Sequence, residues 1–123
     1  MPAHENPYAV LKSVFHEPNR LSIMSALCNA SDGMTFNELK EECDLTDGNL
    51  SRHLKALEDE KAVRIKKTFV KSKPQTTIYL TDRGRDSFIE YLQALEEVLK
   101  QAAGSLAQQD SKLPVQLAKL VRA

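Results

Sequence analysis

The 123-residue chain has only two cysteines, carries no net charge and contains no long apolar run. Each shortage removes a class of protein. Cys28 and Cys43 stand fifteen positions apart, which matches no zinc-binding pattern, and a reducing compartment disfavours a disulfide between them. Both are expected to be small core residues, with a redox pair as the other reading. Seventeen basic residues against seventeen acidic ones exclude a uniformly basic chain but not a basic patch. No stretch approaches the roughly 18 apolar residues that a membrane span requires. Met1 to Tyr8 shows no basic start followed by an apolar run, so no signal peptide is expected and a cytoplasmic location is the default. No His/Cys/Asp/Glu cluster has metal-ligand spacing, and neither a metal nor a cofactor is expected. A Ser-His-Asp or Cys-His arrangement, a glycine-rich phosphate loop and a supported carboxylate pair are all missing, so no enzyme is expected. The acids at 58–60 read as a solvated helix end. There are no repeats and no low-complexity tracts.

What is present fits one globular domain: 41% hydrophobic and 28% charged residues, enough to bury a core without staples. The zero net charge hides an asymmetry. Residues 1–45 sum to −4, residues 46–85 to +5 and residues 86–123 to −1. A basic middle third points to an anionic partner, and a solvated face with ordinary fluctuation is the plain alternative.

Apolar spacing places a short helix over about 7–16 and a second over about 18–30, with Pro18 in its first turn. Thr35-Phe36-Asn37-Glu38 fits a capping box opening a helix of about 35–43. After the break Asp44-Leu45-Thr46-Asp47, Thr46 can cap a helix of about 46–60 that buries Leu50, Leu54 and Leu57. The period then switches to that of a strand over Val63–Val70. A turn is expected at Ser72-Lys73-Pro74, and Thr76–Leu80 forms the second strand of a hairpin. Thr81-Asp82 caps a long helix of about 82–103. In it Phe88, Leu92, Leu95, Leu99, Ala102 and Leu106 are spaced as a heptad seam. Gly104-Ser105 is expected to interrupt that helix, residues 107–112 to be loose, and Val115–Val121 to form a terminal helical segment. The organisation is therefore a domain over 1–103 and a tail over 104–123.

This is a mainly α chain with a small β-hairpin, in the order of a winged helix-turn-helix with a long C-terminal dimerisation helix. Such a fold sets the second helix of its central pair in the DNA major groove. On the outward side of residues 46–60, Gly48, Ser51, Arg52 and Lys55 point away from the leucine stripe and Asn49 flanks them. Asn and Arg are well suited to bidentate contacts with base edges, and Gly48 allows close backbone approach. His53 lies at the margin of the stripe, either as a phosphate or base contact or as a half-buried packing residue. Lys66, Lys67, Lys71 and Lys73, with hydrogen-bonding groups such as Thr76, make a basic ribbon suited to phosphates or a minor groove. Lysines also protect sheet edges, and both roles can hold. The heptad seam suits pairing with a second copy, which would place two helices on two half-sites one turn apart.

The strings Pro18–Met24, Met34–Lys40, Leu45–Glu58 and Tyr79–Arg85 resemble winged-helix transcriptional regulators of the MarR-like and ArsR-like kind, over about His16 to Leu95. The run Asp47–Leu54 is most similar to a small single-domain subgroup. The resemblance implies a homodimeric regulator of duplex DNA, with Asn49, Ser51, Arg52, His53 and Lys55 on the recognition helix; Thr46 and Gly48, at its start, are expected to contact DNA with them. It implies a DNA-touching wing around Lys71 to Thr76 and a dimer interface on the terminal helices. Where such families often have Gly before the first wing strand, this chain has Lys61. A non-Gly residue in a left-handed cap costs about 1 kcal/mol, so a differently shaped junction is expected. The close cysteine pair of metal-sensing ArsR-like proteins is absent. A small-molecule effector would have to bind between the dimer helices and the winged domain. The rival readings are a winged-helix module for protein–protein contact and a ligand- or redox-gated regulator.

Overall fold

The computed structural model describes residues 6–109 and 113–122. The elements run α1 (Pro7–Leu11), α2 (Pro18–Cys28), β1 (Met34–Thr35), α3 (Phe36–Glu42), α4 (Asp47–Asp59), β2 (Val63–Val70), β3 (Lys73–Leu80), α5 (Asp82–Gln109) and α6 (Val115–Arg122). They fall into two compact units, one of residues 14–89 and one of the residues up to 13 with those from 90 onward. The expectations for Met1–Tyr8 and for residues 107–112 lie partly outside the described residues.

In the unit of residues 14–89, α2 starts where the Glu17 carboxylate accepts the Arg20 N–H at 2.9 Å, with Pro18 in the first turn. Its inner face buries Ile23, Met24 and Leu27. Gly33 follows with φ +80, and a Cβ there would lie 2.7 Å from the Ile78 carbonyl oxygen and 2.8 Å from the Tyr79 ring. Only glycine allows that close approach. The approach delivers Met34 and Thr35 onto β3, paired antiparallel with Ile78 and Thr77. The expected two-stranded hairpin is thus a three-stranded sheet ordered β1-β3-β2. Two residues are too few to show a period of two, so β1 exists because its partner strand is there.

The capping box forms as the sequence proposed. Thr35 Oγ1 accepts the Glu38 N–H at 3.1 Å, and Glu38 Oε1 accepts the Thr35 N–H at 2.8 Å. Two helix ends then close in the same way. Asp44 and Lys61 both take left-handed backbone, with φ 53 and 60. The Leu45 N–H reaches the Lys40 carbonyl at 3.0 Å, and the Ala62 N–H reaches Leu57 at 2.9 Å. These six-residue closures satisfy orphan carbonyls at the C-termini of α3 and α4. Lys61 therefore does not reshape the junction as expected; it adopts the glycine-like conformation. The Thr81 hydroxyl, within 2.7 Å of the Lys61 carbonyl oxygen, supports it there.

Thr81 Oγ1 also accepts the Gly84 N–H at 2.8 Å, which starts α5. A Cβ on Gly84 would come within 2.0 Å of the Ala62 carbonyl oxygen, so the Leu80-Thr81-Asp82-Arg83-Gly84-Arg85 string is a close-packing motif. Between β2 and β3 the turn is the residue pair Lys71-Ser72, φ 53 and 68, not the expected Ser72-Lys73-Pro74. Positive φ at both central positions matches the twist of a hairpin. Pro74 stands opposite Phe69, one step from the closing pair Val70–Lys73, where its missing N–H faces away from β2. Phe15 and Phe88 meet edge to face, centroids 5.3 Å apart, within a core that includes Leu39, Leu50, Leu57 and Ile78.

In the other unit, α1 stops at Leu11, short of the expected residue 16. Helix α5 continues through Gly104-Ser105 to Gln109, where an end near 103 is expected from sequence. Ser105 Oγ donates to the Gln101 carbonyl at 3.1 Å, so its hydroxyl is satisfied inside the helix. Leu11, Tyr91, Ala94 and Ala103 are buried. Residues 115–122 form the terminal helix α6. The two cysteines correct another expectation: Cys28 is exposed and Cys43 half-buried, and both are free thiols. Burial still pushes the Cys28 thiol up, against the pull of the nearby Arg85 charge. No helix among the described residues is long and apolar enough to cross a membrane.

Candidate nucleic-acid interface

Thr46 Oγ1 accepts the Asn49 N–H at 3.2 Å and so fixes the first turn of α4. Leu50, Leu54 and Leu57 turn inward, packed with α2 and β2. Their spacing leaves Gly48, Asn49, Ser51, Arg52 and Lys55 exposed together. A Cβ on Gly48 would meet nothing within 4 Å, so no internal contact requires glycine there. What glycine provides is bare backbone on the outside of the first turn.

The polar groups on this face are held lightly. Arg52 Nη2 donates to Asn49 Oδ1 at 3.3 Å, and Lys55 Nζ lies 3.5 Å from Asp59 Oδ1. Lys40 pairs with Asp47 at 2.9 Å at the start of the helix. Exposed pairs of this kind contribute about 0–1 kcal/mol, so an incoming ligand can displace them at little cost.

His53 does not belong to this face. It is only 3% exposed. Arg20 Nη1 lies 3.2 Å from His53 Nδ1, and Glu17 Oε2 lies 3.5 Å from the same atom. Arginine can only donate, so the Arg20 contact is a hydrogen bond when Nδ1 is bare, and burial favours that neutral ring. Burial holds the imidazole below its usual value; Glu17 opposes that, and Arg52 and Arg20 reinforce it. The Arg20 Nε donates to the Val14 carbonyl. Glu17 is acted on by burial, which would raise it, but the Arg20 and Asn19 N–H groups bring its carboxyl below the ordinary range. His53 is therefore a buried tie between α2 and α4, not a ligand-facing residue. Arg20 and Glu17 went unnoticed in the sequence because their partner is more than thirty residues away.

The register of β2 and β3 sorts the wing residues. Val63, Ile65, Lys67 and Phe69 share one face with Leu80, Ile78, Thr76 and Pro74. Arg64, Lys66, Thr68 and Val70 take the other, where Arg64 stacks over the Tyr79 ring at 5.0 Å. Lys67 and Thr76 line a groove of about 270 Å³ with Ser51, Lys55 and Glu58 of α4. Lys67 is thus the wing lysine nearest the outward face of α4. Lys66, expected with it as a DNA contact of the basic ribbon, lies on the reverse side. Lys71 and Lys73 are exposed at the tip. Among the described residues, no group of three or more His, Cys, Asp or Glu side chains could hold a metal ion.

Of the expected seam, Phe88 is already covered against Phe15 and has little surface left for a partner. Leu95 is half-buried. Leu92, Leu99, Ala102 and Leu106 are exposed, and so is Ile89 beside them.

Residues 19–99 match the family model of the winged helix DNA-binding domain. An uncharacterized protein of Methanocaldococcus jannaschii is 38% identical over 87 residues, spanning 71% of this chain and 94% of that one. A solved transcriptional regulator homologue from Pyrococcus horikoshii is 29% identical, with a TM-score of 0.72, over 80% of this chain and 98% of its own. The S. aureus protein MepR, solved as a complex with DNA, is 18% identical with a TM-score of 0.63, over 89% of this chain and 90% of its own. That last likeness is one of fold. The family is one of DNA-binding domains, and the solved neighbours are transcriptional regulators, not enzymes.

Proposed function

The chain belongs to the winged helix DNA-binding domain family, and from that premise we propose that it is a homodimeric cytoplasmic transcriptional regulator. It lays α4 in the major groove of duplex DNA and its wing on the adjacent backbone or minor groove. The observation that carries this reading is the outward face of α4. Gly48, Asn49, Ser51, Arg52 and Lys55 stand exposed together, in the half of the helix that enters a groove. Asn49 and Arg52 supply the side chains best shaped for base edges. Lys67, Lys71, Lys73 and Thr76 extend the surface with groups suited to phosphates. MepR, similar in fold, has been seen with DNA, which supports the same use of this surface.

The open stripe of Leu92, Leu99 and Leu106 supports pairing with a second copy. Two-fold pairing presents two α4 helices, and the target is then an inverted repeat with half-site centres about ten base pairs apart. Selection of bound duplexes from a random pool tests this directly. The expected product is that inverted repeat, bound with an affinity that falls steeply with salt, by a slope of about −0.9 per phosphate contacted. Arg52→Ala is expected to weaken the selected duplex by about 1–3 kcal/mol and to relax its sequence preference. Binding that ignores salt, or an Arg52→Ala protein that reads the selected duplex unchanged, would refute the assignment.

A further inference from the structure

We propose that Phe69, at the tip of the wing, is an apolar wedge that enters the minor groove of the bound duplex and opens a base step there. The proposal rests on the DNA-binding reading above and adds to it a deformation of the DNA.

Phe69 has no use inside the chain. It is 76% exposed, the most exposed large apolar side chain among the described residues. Along its face of β2, Val63 is buried, Ile65 half-buried, and Lys67 and Phe69 exposed, so the strand has left the core by the time it reaches the tip. The hairpin fixes the backbone that carries the ring. The turn at Lys71-Ser72 is a tight two-residue one, and the residue opposite Phe69 is Pro74. Phe69 is also on the side of the sheet that faces the groove with α4, two residues beyond Lys67. At the rise of a strand it projects about 7 Å past that lysine.

The surroundings select the occupant. From Lys61 to Thr81 the chain has six basic residues and no acidic one. Interfaces with other proteins are depleted in lysine at their centres, whereas a polyanion is matched by it. Phenylalanine is among the side chains that can part a base step from the minor groove, and the unstacking it causes bends the duplex. Lysines on the strands and turn around the ring hold the phosphates on either side, and the ring meets the base step between them.

The test uses the full chain and a duplex of about thirty base pairs obtained by selection, with a donor and an acceptor dye on its ends. Binding of the parent protein is expected to shorten the end-to-end distance. Phe69→Ala is expected to bind about tenfold more weakly, with the same dependence on salt, and to leave the duplex as straight as it is when free. Phe69→Leu keeps the bend, because a branched apolar side chain can still part the step. Thermal unfolding of all three proteins should agree, since the ring is exposed. Equal end-to-end distances in the parent and Phe69→Ala complexes overturn the wedge while the DNA-binding reading stands. A Phe69→Ala protein with unchanged affinity and bend that has lost a protein partner also overturns it, and assigns the tip to that partner. A parent protein without salt-dependent affinity for the duplex overturns both readings.

Discussion

The leucines of α4 at 50, 54 and 57 are all but fully covered, whereas those of α5 at 92, 99 and 106 remain 42%, 42% and 50% exposed. Both sets recur at helical spacing. The α4 stripe is taken up by α2 and β2 within the chain. Helix α5 carries two apolar lines. One runs through Gly84, Phe88, Tyr91 and Ala94 and is buried; the other, through Ile89, Leu92, Leu99 and Leu106, is open. Periodicity reveals that a helix face is apolar but not what covers it. An open heptad line on a helix with one side already buried is the feature expected of a surface that a second copy completes.

The largest effect that would sharpen this contrast is on the covered stripe. Leu57→Ala removes a fully buried side chain and should lower the unfolding free energy by about 2–5 kcal/mol in a denaturant titration. A loss below about 1 kcal/mol would mean that the stripe does not carry the stability its burial implies. Next in size is the open stripe. Leu99→Glu should weaken self-association by about 2 kcal/mol in sedimentation equilibrium while leaving the protomer's secondary structure intact. If the charged residue leaves a dimer undisturbed, the open line is not the interface and the contrast between the helices loses its meaning.

The sequence disclosed those features whose partners are a few residues apart. The Thr35–Glu38 box and the Thr46 cap are satisfied within one helical turn, and the leucines of α4 repeat along one face. The features it concealed depend on distant residues or on backbone shape. Strand β1 needs Ile78 and Thr77. The inward turn of His53 needs Arg20 and Glu17. Lys61, Lys71 and Ser72 sit in left-handed backbone that composition does not announce, because the usual marker is glycine or asparagine. For the interface the consequence is specific. The outward set at Gly48, Asn49, Ser51, Arg52 and Lys55 follows from helix period alone. That Lys67 and not Lys66 shares the face toward α4 required the strand register, since a shift of one residue moves a side chain to the other face.

His53 is the one polar member of the buried line of α4, and it gives the smallest expected effect, a pH dependence of stability. The neutral ring accepts from Arg20, and protonation would set a new charge against that guanidinium in a buried place. Glu17, on the same nitrogen, partly offsets this, which keeps the effect modest. The folded chain therefore holds the imidazole below its ordinary value of 6.5, and the unfolded chain does not. Between those two values the unfolded state binds more protons. Stability is then complete above 6.5 and falls as the pH drops from there toward the folded value. Glu17, held below 4.5, contributes in the same direction but in a separate, more acid window, where its stabilisation is lost as the pH falls through its folded value. Urea unfolding at about pH 7.5 and about pH 5.5 should show the parent losing stability over an interval in which Glu17 remains largely ionised. In His53→Gln, whose amide oxygen can still accept from Arg20, that loss should shrink. Parallel falls in the two proteins would mean that the ring takes up its proton as readily folded as unfolded. The tie between α2 and α4 would then not depend on a neutral imidazole.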